Sequence, residues 1–135
     1  MRLVAKSTIA VFGSTCLIGF AMGADLTGAQ LKELFSGKSV YLENTATSTA
    51  GVGQGVIYYA ADGTALYKTG GGKILHGTWS IKDNTACIAW KEVSNNACSR
   101  YDKQGDTITV FNVATGQVRG KVIKIVDGNS EKIAP

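Results

Sequence analysis

Proline is all but missing from this chain. The only one is Pro135, the last residue, so no stretch carries a residue that would interrupt a sheet ladder or kink a helix. Histidine is as scarce: His76 stands alone, so a zinc site built from Cys and His would need all three cysteines of the chain as its other ligands. Charged residues make up only 18 % and are interspersed, for a formal net charge of +4, without the concentrated basic face that nucleic acid demands. No uncharged apolar stretch reaches the roughly 20 residues of a membrane-spanning helix. These shortages argue against a cofactor or metal, against a nucleic-acid partner and against a stable membrane span.

What is present begins with a leader. In "MRLVAKSTIAVFGSTCLIGFAMGAD", Arg2 and Lys6 precede an apolar run that closes on small residues, the layout of a secretory signal peptide. Ala21 and Gly23 satisfy the small-x-small cleavage rule, which predicts a signal over residues 1–23 and a mature chain starting at Ala24, or one residue on at Asp25. Gly13, Ser14 and Thr15 before Cys16 are not the residues that lipid attachment prefers. Removing the leader lowers Lys plus Arg from 14 to 12 against 10 acidic residues, a net charge near +2. It leaves about 112 residues, one domain with a single core. The expected location is exported, either periplasmic or secreted.

Export changes what the cysteines mean. Once Cys16 has left with the leader, Cys87 and Cys98 form an even pair in an oxidising compartment, where a disulfide is the expected state. The C-x-x-C spacing of a redox pair is absent, and no third thiol survives to build a metal site. The loop they would close, about a dozen residues, corresponds to roughly 3 kcal/mol of chain entropy.

The remaining chain reads as one short N-terminal helix followed by about eight short antiparallel strands. In "DLTGAQLKELFSGK", Thr27 and Gln30 make a capping box, Leu26 and Leu31 a hydrophobic staple, and Gly37 a stop. Leu31, Leu34 and Phe35 share one face of a helix too short to stand alone, so it must lie on a sheet. The strand candidates are "KSVYLE", "GVIYYAA", "TALYKT", "ILHGTWSIK", "TACIAWK", "ACSRYDK", "DTITVFNV" and "QVRGKVIKIV". Asp62-Gly63 is a strong two-residue hairpin signal, Asp83-Asn84 and Gln104-Gly105 resemble it, and Gly116 supplies another turn. The class is mainly β, a small lipocalin-like barrel or a sandwich, with a single domain over 24–126 and a loose tail over 127–135.

Alternation along strands assigns the aromatics. Leu75, Trp79 and Ile81 face one side, with Ile74, His76, Thr78 and Ser80 on the other, so Trp79 belongs to the core and His76 to the outer wall. Ala86, Ile88 and Trp90 share a face with Ala97, Ser99 and Tyr101, while Cys87 lies opposite Cys98 in a hairpin centred on Glu92 and Val93. The expected core aromatics are Trp79, Trp90, Tyr59 and Tyr101.

The succession of leader, "LFSGKSV", "GVIYYAADGTALY", "HGTWSI", "CIAW" and a later cysteine resembles the small exported bacterial proteins catalogued as domain of unknown function 995, over roughly residues 26–102. The shared elements are the aromatic-x-x-Asp-Gly-Thr hairpin of Tyr59, Asp62, Gly63 and Thr64, the Gly-x-Trp of Gly77 and Trp79, and the cysteine pair. The resemblance implies an exported β-rich domain and supplies no catalytic residues.

Catalytic motifs do not assemble. "KTGGGK" has Tyr67 where a phosphate loop needs its first glycine and Ile74 where it needs Ser or Thr. "GVGQGV" leads into a strand, not a helix. Ser80 or Ser99 with His76 would be a hydrolase without a nucleophile elbow, and Asp62, Asp83, Asp102, Asp106 and Asp127 all fall at expected turns. Two segments are left without a structural role, "NTATSTAGVGQG" over residues 44–55 and "TGGGK" over residues 69–73. Long connections in compact domains are usually functional or disordered, which makes Asn44, Thr45, Thr47, Ser48, Thr49, Gln54, Thr69, Gly70, Gly71, Gly72 and Lys73 the candidate recognition residues. The expectation is a binding module for an unknown protein or small apolar ligand, such as a periplasmic inhibitor or a carrier. An envelope or surface interaction protein with outward apolar residues such as Val113 and Val118 is the alternative, and a hydrolase is the third class.

Overall fold

A computed structural model describes residues 23–46, 48, 51–94 and 97–135, so the expected signal peptide lies outside the described residues apart from Gly23. The order is β1 (Ala24–Asp25), α1 (Gly28–Phe35), β2 (Lys38–Asn44), β3 (Gly53–Tyr59), β4 (Thr64–Lys68), β5 (Ile74–Lys82), β6 (Thr85–Trp90), β7 (Ala97–Gln104), β8 (Thr107–Asn112) and β9 (Val118–Asp127). Each strand from β2 to β9 pairs antiparallel with the next, and β2 pairs back onto β9, so eight strands close a barrel. Closure removes the free edges of the sheet. The ninth strand, β1, is two residues long and pairs Asp25 with Asp102 on β7. It lies beyond the point where β6, paired over Ala86 to Ile88 only, leaves β7.

The helix forms for the reasons its sequence states. Thr27 Oγ1 accepts from the Gln30 amide, and Gln30 Oε1 accepts from the Thr27 amide, the reciprocal capping box. Leu31 and Phe35 are wholly buried. Asn84, in the β5–β6 turn, accepts from the Gly28 amide at 3.0 Å, and a Cβ on Gly28 would collide with the Asp83 carbonyl. The helix is thereby clamped across one end of the barrel against β2, β5 and β6. Phe35 stacks on Tyr59 and meets Tyr101 edge-on, both at 4.9 Å between ring centres, and Tyr59 meets Trp79 edge-on at 5.3 Å. This aromatic floor closes the end.

Alternation is as expected: Leu75 and Trp79 are buried, His76 is on the outer wall, and Cys87 pairs directly with Cys98 in a disulfide of 2.01 Å. Several details differ. The β3–β4 connection is not a two-residue turn: the Ala60 amide donates to the Thr64 carbonyl and the Gly63 amide to the Ala60 carbonyl, and only Gly63 has positive φ (94°). This is a longer hairpin loop with one left-handed glycine, the loop that suits Asp at 62 through its bond from the Thr64 amide. Asp102 is in β7, not a turn, because its strand continues to pair with β8 as far as Gln104. The tail expected to be loose from Asp127 is tied down. Asp127 ends β9, the Gly128 carbonyl accepts from Ser39 Oγ at 2.6 Å, Tyr41 bonds Ser130 and Glu131, and Ile133 is buried.

Candidate functional site

The helix occupies one end of the barrel, and the opposite end is where β2, β4, β6 and β8 finish and β3, β5, β7 and β9 begin, so the described residues 45, 46, 48, 51, 52, 69–73, 91–94 and 113–117 belong to that end. Two of its connections are the segments to which the sequence assigns no structural role. The first is shorter than residues 44–55 suggest, since Asn44 ends β2 and Gly53 opens β3, paired to each other across the ladder. Glycine does not prevent strand formation where a neighbour needs the space: a Cβ on Gly55 would come 2.6 Å from the Tyr67 ring. Gly70 is held equally close to the Gln54 carbonyl, at 2.8 Å from its absent Cβ, so the two glycine-rich segments touch and form one rim. In the 69–73 connection, Thr69 receives the Gly72 and Lys73 amides on its carbonyl and hydroxyl oxygens. Gly71, Gly72 and Lys73 are exposed at its tip. Thr45 donates its amide to the Arg119 carbonyl and its hydroxyl to Val118, and Gln54 is exposed. Thr47 and Thr49 lie outside the described residues.

Below the rim is a cavity of about 60 Å³ in the barrel interior. Leucine, isoleucine and valine line its body, Tyr59 and Tyr101 its floor, and Asn44, Ser48, Tyr67, Ser99 and Arg119 bring polar atoms to it. Asn44 Nδ2 donates to the Tyr67 hydroxyl at 2.7 Å, and Arg119 Nη1 donates to Ser99 Oγ at 3.0 Å. The Tyr67 ring leans on Trp90 at 5.6 Å. Burial pushes the Tyr59 phenol well above its ordinary range, reinforced by the neighbouring Tyr101 hydroxyl 3.4 Å away. Tyr101 and Tyr67 are raised for the same first reason, partly offset by hydrogen bonds and by the Arg119 charge. All three phenols are therefore neutral donors at ordinary pH.

Arg119 is the residue that the sequence pattern conceals. It enters the interior through a bulge. Val110 pairs with Gly120 and Phe111 with Val118, so Arg119 has no opposite number on β8, and such bulges re-aim side chains. Gly120 permits this, because a Cβ there would collide with the Glu43 carbonyl of β2. No break of phase betrays this bulge in "VRGKVIKI": Val118 and Val122 share a parity, and the apolar phase changes only from Val122 to Ile123 and Ile125. A second register shift, between Tyr41 and Leu42 of β2, leaves Ile123 without an opposite number and exposed.

The hydrolase candidates do not meet. Ser99 is inside the barrel, whereas His76 and Ser80 are on the outer wall four positions apart on one strand, about 13 Å. His76 Nδ1 is 2.6 Å from Glu92 Oε1, and its amide donates to Glu92 Oε2 at 2.8 Å. With the Lys91 amide bonded to the His76 carbonyl, this pair staples the start of the 91–96 connection to β5. Among the described residues no group of three His, Cys, Asp or Glu side chains could hold a metal, and no helix is long and apolar enough to cross a membrane. A hollow of about 300 Å³ between α1 and the β3–β4 loop is larger but shallow. Its carboxylate, Asp62, is already used by the Thr64 amide. No family model, curated protein or solved structure matches the chain.

Proposed function

We propose that the protein is an exported binding module that receives its ligand or partner at the open mouth of the barrel. The observation that carries this reading is the convergence of polar groups on an apolar cavity at the end opposite the plug, under a rim built from the glycine-rich connections. The size of the cavity narrows the possibilities. A cavity of about 150 Å³ holds a benzene and this one is well under half of that, so a molecule of any bulk would enter by its head and be held by the loops. That favours recognition at the mouth over carriage of a large apolar ligand within the barrel. The resemblance to domain of unknown function 995 rests on the motifs quoted above and adds export, not an activity.

Two features support export. The Cys87–Cys98 disulfide suits an oxidising compartment. Among the described residues, Asp102 Oδ1 is buried without a hydrogen-bond partner, and Gly23 lies directly over that carboxylate, its missing Cβ 2.6 Å from both oxygens. Cleavage after Gly23 would free the amino group of Ala24 beside Asp102 and supply a charged donor.

The test is to replace residues 45–52 and 69–73 with short turns in the exported protein. Folding should persist, because closure entropy depends weakly on loop length, while a stoichiometric ligand or partner seen by native mass spectrometry of the parent protein should be lost. Retention of that species by a folded double replacement would remove the loops from the site. A second reading, a surface interaction protein without a pocket ligand, is favoured by Val52, Val113 and Val118, which are 74 %, 48 % and 41 % exposed on connections at the mouth or beside them.

A further inference from the structure

The geometry points to a small monocarboxylate, or the carboxylate head of a larger molecule, as the group that the mouth cavity binds, with Arg119 as its counter-charge and the Ser99 and Tyr67 hydroxyls as its neutral donors. This assignment rests on the binding-module reading and names its ligand class.

Three observations carry it. Among the described residues that line the cavity, Arg119 is the only one with a formal charge. A cation inside a barrel is costly to desolvate, and here the fold uses a strand bulge and a glycine at 120 to place it. The two hydroxyls are oriented by their own donors. Tyr67 accepts from Asn44, and Ser99 accepts from Arg119; a hydroxyl that accepts through a lone pair still has its proton to donate. Because burial keeps Tyr67 protonated, both remain donors across the ordinary pH range. A carboxylate has two oxygens that accept only, and would take these protons together with the charge-assisted bond from the guanidinium.

Charge and volume then decide the class. One guanidinium balances one negative charge, which a carboxylate carries and a phosphate dianion exceeds. The rest of the lining, with Leu42, Ile57, Leu75 and Val110, suits a short hydrocarbon tail and is a poor site for a fully hydrated inorganic anion. About 60 Å³ admits a head group of a few heavy atoms.

The experiment is thermal denaturation and calorimetric titration of the exported protein with sodium acetate, butyrate and hexanoate at constant ionic strength. Butyramide serves as the uncharged isostere and inorganic phosphate as the alternative anion. Carboxylates should raise Tm progressively with concentration, and butyramide should be at least tenfold weaker. Arg119→Met should abolish the response. Ser99→Ala and Tyr67→Phe, which keep the charge, should each weaken it about tenfold, so the assignment stays testable if the Arg119 variant fails to fold. An equal response to butyrate and butyramide, a stronger response to phosphate, or no response to any carboxylate would overturn it. Carboxylate failure alongside a stoichiometric species that the loop replacements release would sink the ligand class and leave the binding module standing. Loss of both would end both readings.

Discussion

The two ends of this barrel are made of opposite materials. The closed end is a helix fastened by a capping box and by Asn84, pressing Leu31 and Phe35 onto Tyr59, Tyr101 and Trp79. The open end is small-polar and glycine-rich chain, an arginine set in a bulge, and exposed valines. Aromatic packing is concentrated at the first end, and the polar groups that reach the barrel interior at the second. On that division, substitutions at the plug should cost folding and leave the mouth chemistry alone, and substitutions at the mouth should do the reverse.

The largest effect should come from the plug. Phe35 is wholly buried between two aromatic rings, so Phe35→Ala should cost about 3 to 5 kcal/mol, and Trp79→Ala a similar amount. Trp79 also donates its indole N–H to the Ala60 carbonyl at 2.8 Å, a bond that the alanine variant loses. Chemical denaturation measures both. A loss under about 1 kcal/mol for Phe35→Ala, well short of a core aromatic's cost, would mean that the helix is a loose lid and that the barrel holds itself together.

Much of this end was legible in the sequence, and the reason is that its signals are local. Thr27, Gln30, Leu26 and Leu31 lie within about one turn of a helix. The facing of Trp79, and the pairing of Cys87 with Cys98, follow from counting along adjacent strands. The mouth was less legible because its determinants are non-local. Asn44 read as loop, yet it closes β2 and points at Tyr67, an outcome set by pairing with Gly53. Arg119 is only one letter of the strand candidate "QVRGKVIKIV", and alternation along that strand holds only until a bulge shifts it. The tail could not be placed from its own composition either, because what holds it is Ser39 and Tyr41, 89 positions away from Gly128 and Ser130 respectively.

Next in size is the staple on the outer wall. Reducing Cys87–Cys98 should lower stability by about 3 kcal/mol through the freedom returned to the unfolded chain, without disturbing the aromatic floor. Near-ultraviolet circular dichroism should be nearly unchanged in the reduced native state while the denaturation midpoint falls. If the aromatic signal collapses on reduction under native conditions, the wall and the plug are not separate.

A smaller effect is expected at alkaline pH. Tyr59 is fully buried and its folded pKa is raised well above 10, while in the unfolded chain it titrates near 10. A group with a raised folded pKa contributes stability that is complete below its unfolded value and declines above it. Above about pH 10 the loss from Tyr59 alone approaches about 1.4 kcal/mol per pH unit. Tyr59→Phe should therefore flatten the alkaline limb of the stability profile relative to the parent protein. Equal slopes would show that the floor admits water.

The smallest effect tests the mouth side of the comparison. The Glu92 carboxyl is held below its ordinary range, first by the His76 amide and then by the His76 ring. A carboxyl with a depressed folded pKa adds stability that is present above its unfolded value, near 4.3, and lost as pH falls through the folded one. Glu92 is exposed and solvent-screened, so Glu92→Gln should remove only a slight acid-side dependence, and His76→Ala should barely shift Tm. The local consequence should be clearer than the global one: as pH drops through the Glu92 titration, the His76 ring resonances should move while those of Trp79 stay fixed, because the pair fastens a mouth connection and touches nothing in the floor. A fall of many degrees in Tm for His76→Ala, or coupled movement of both sets of resonances, would show that the 91–96 connection carries the fold, and the contrast between the two ends would no longer stand.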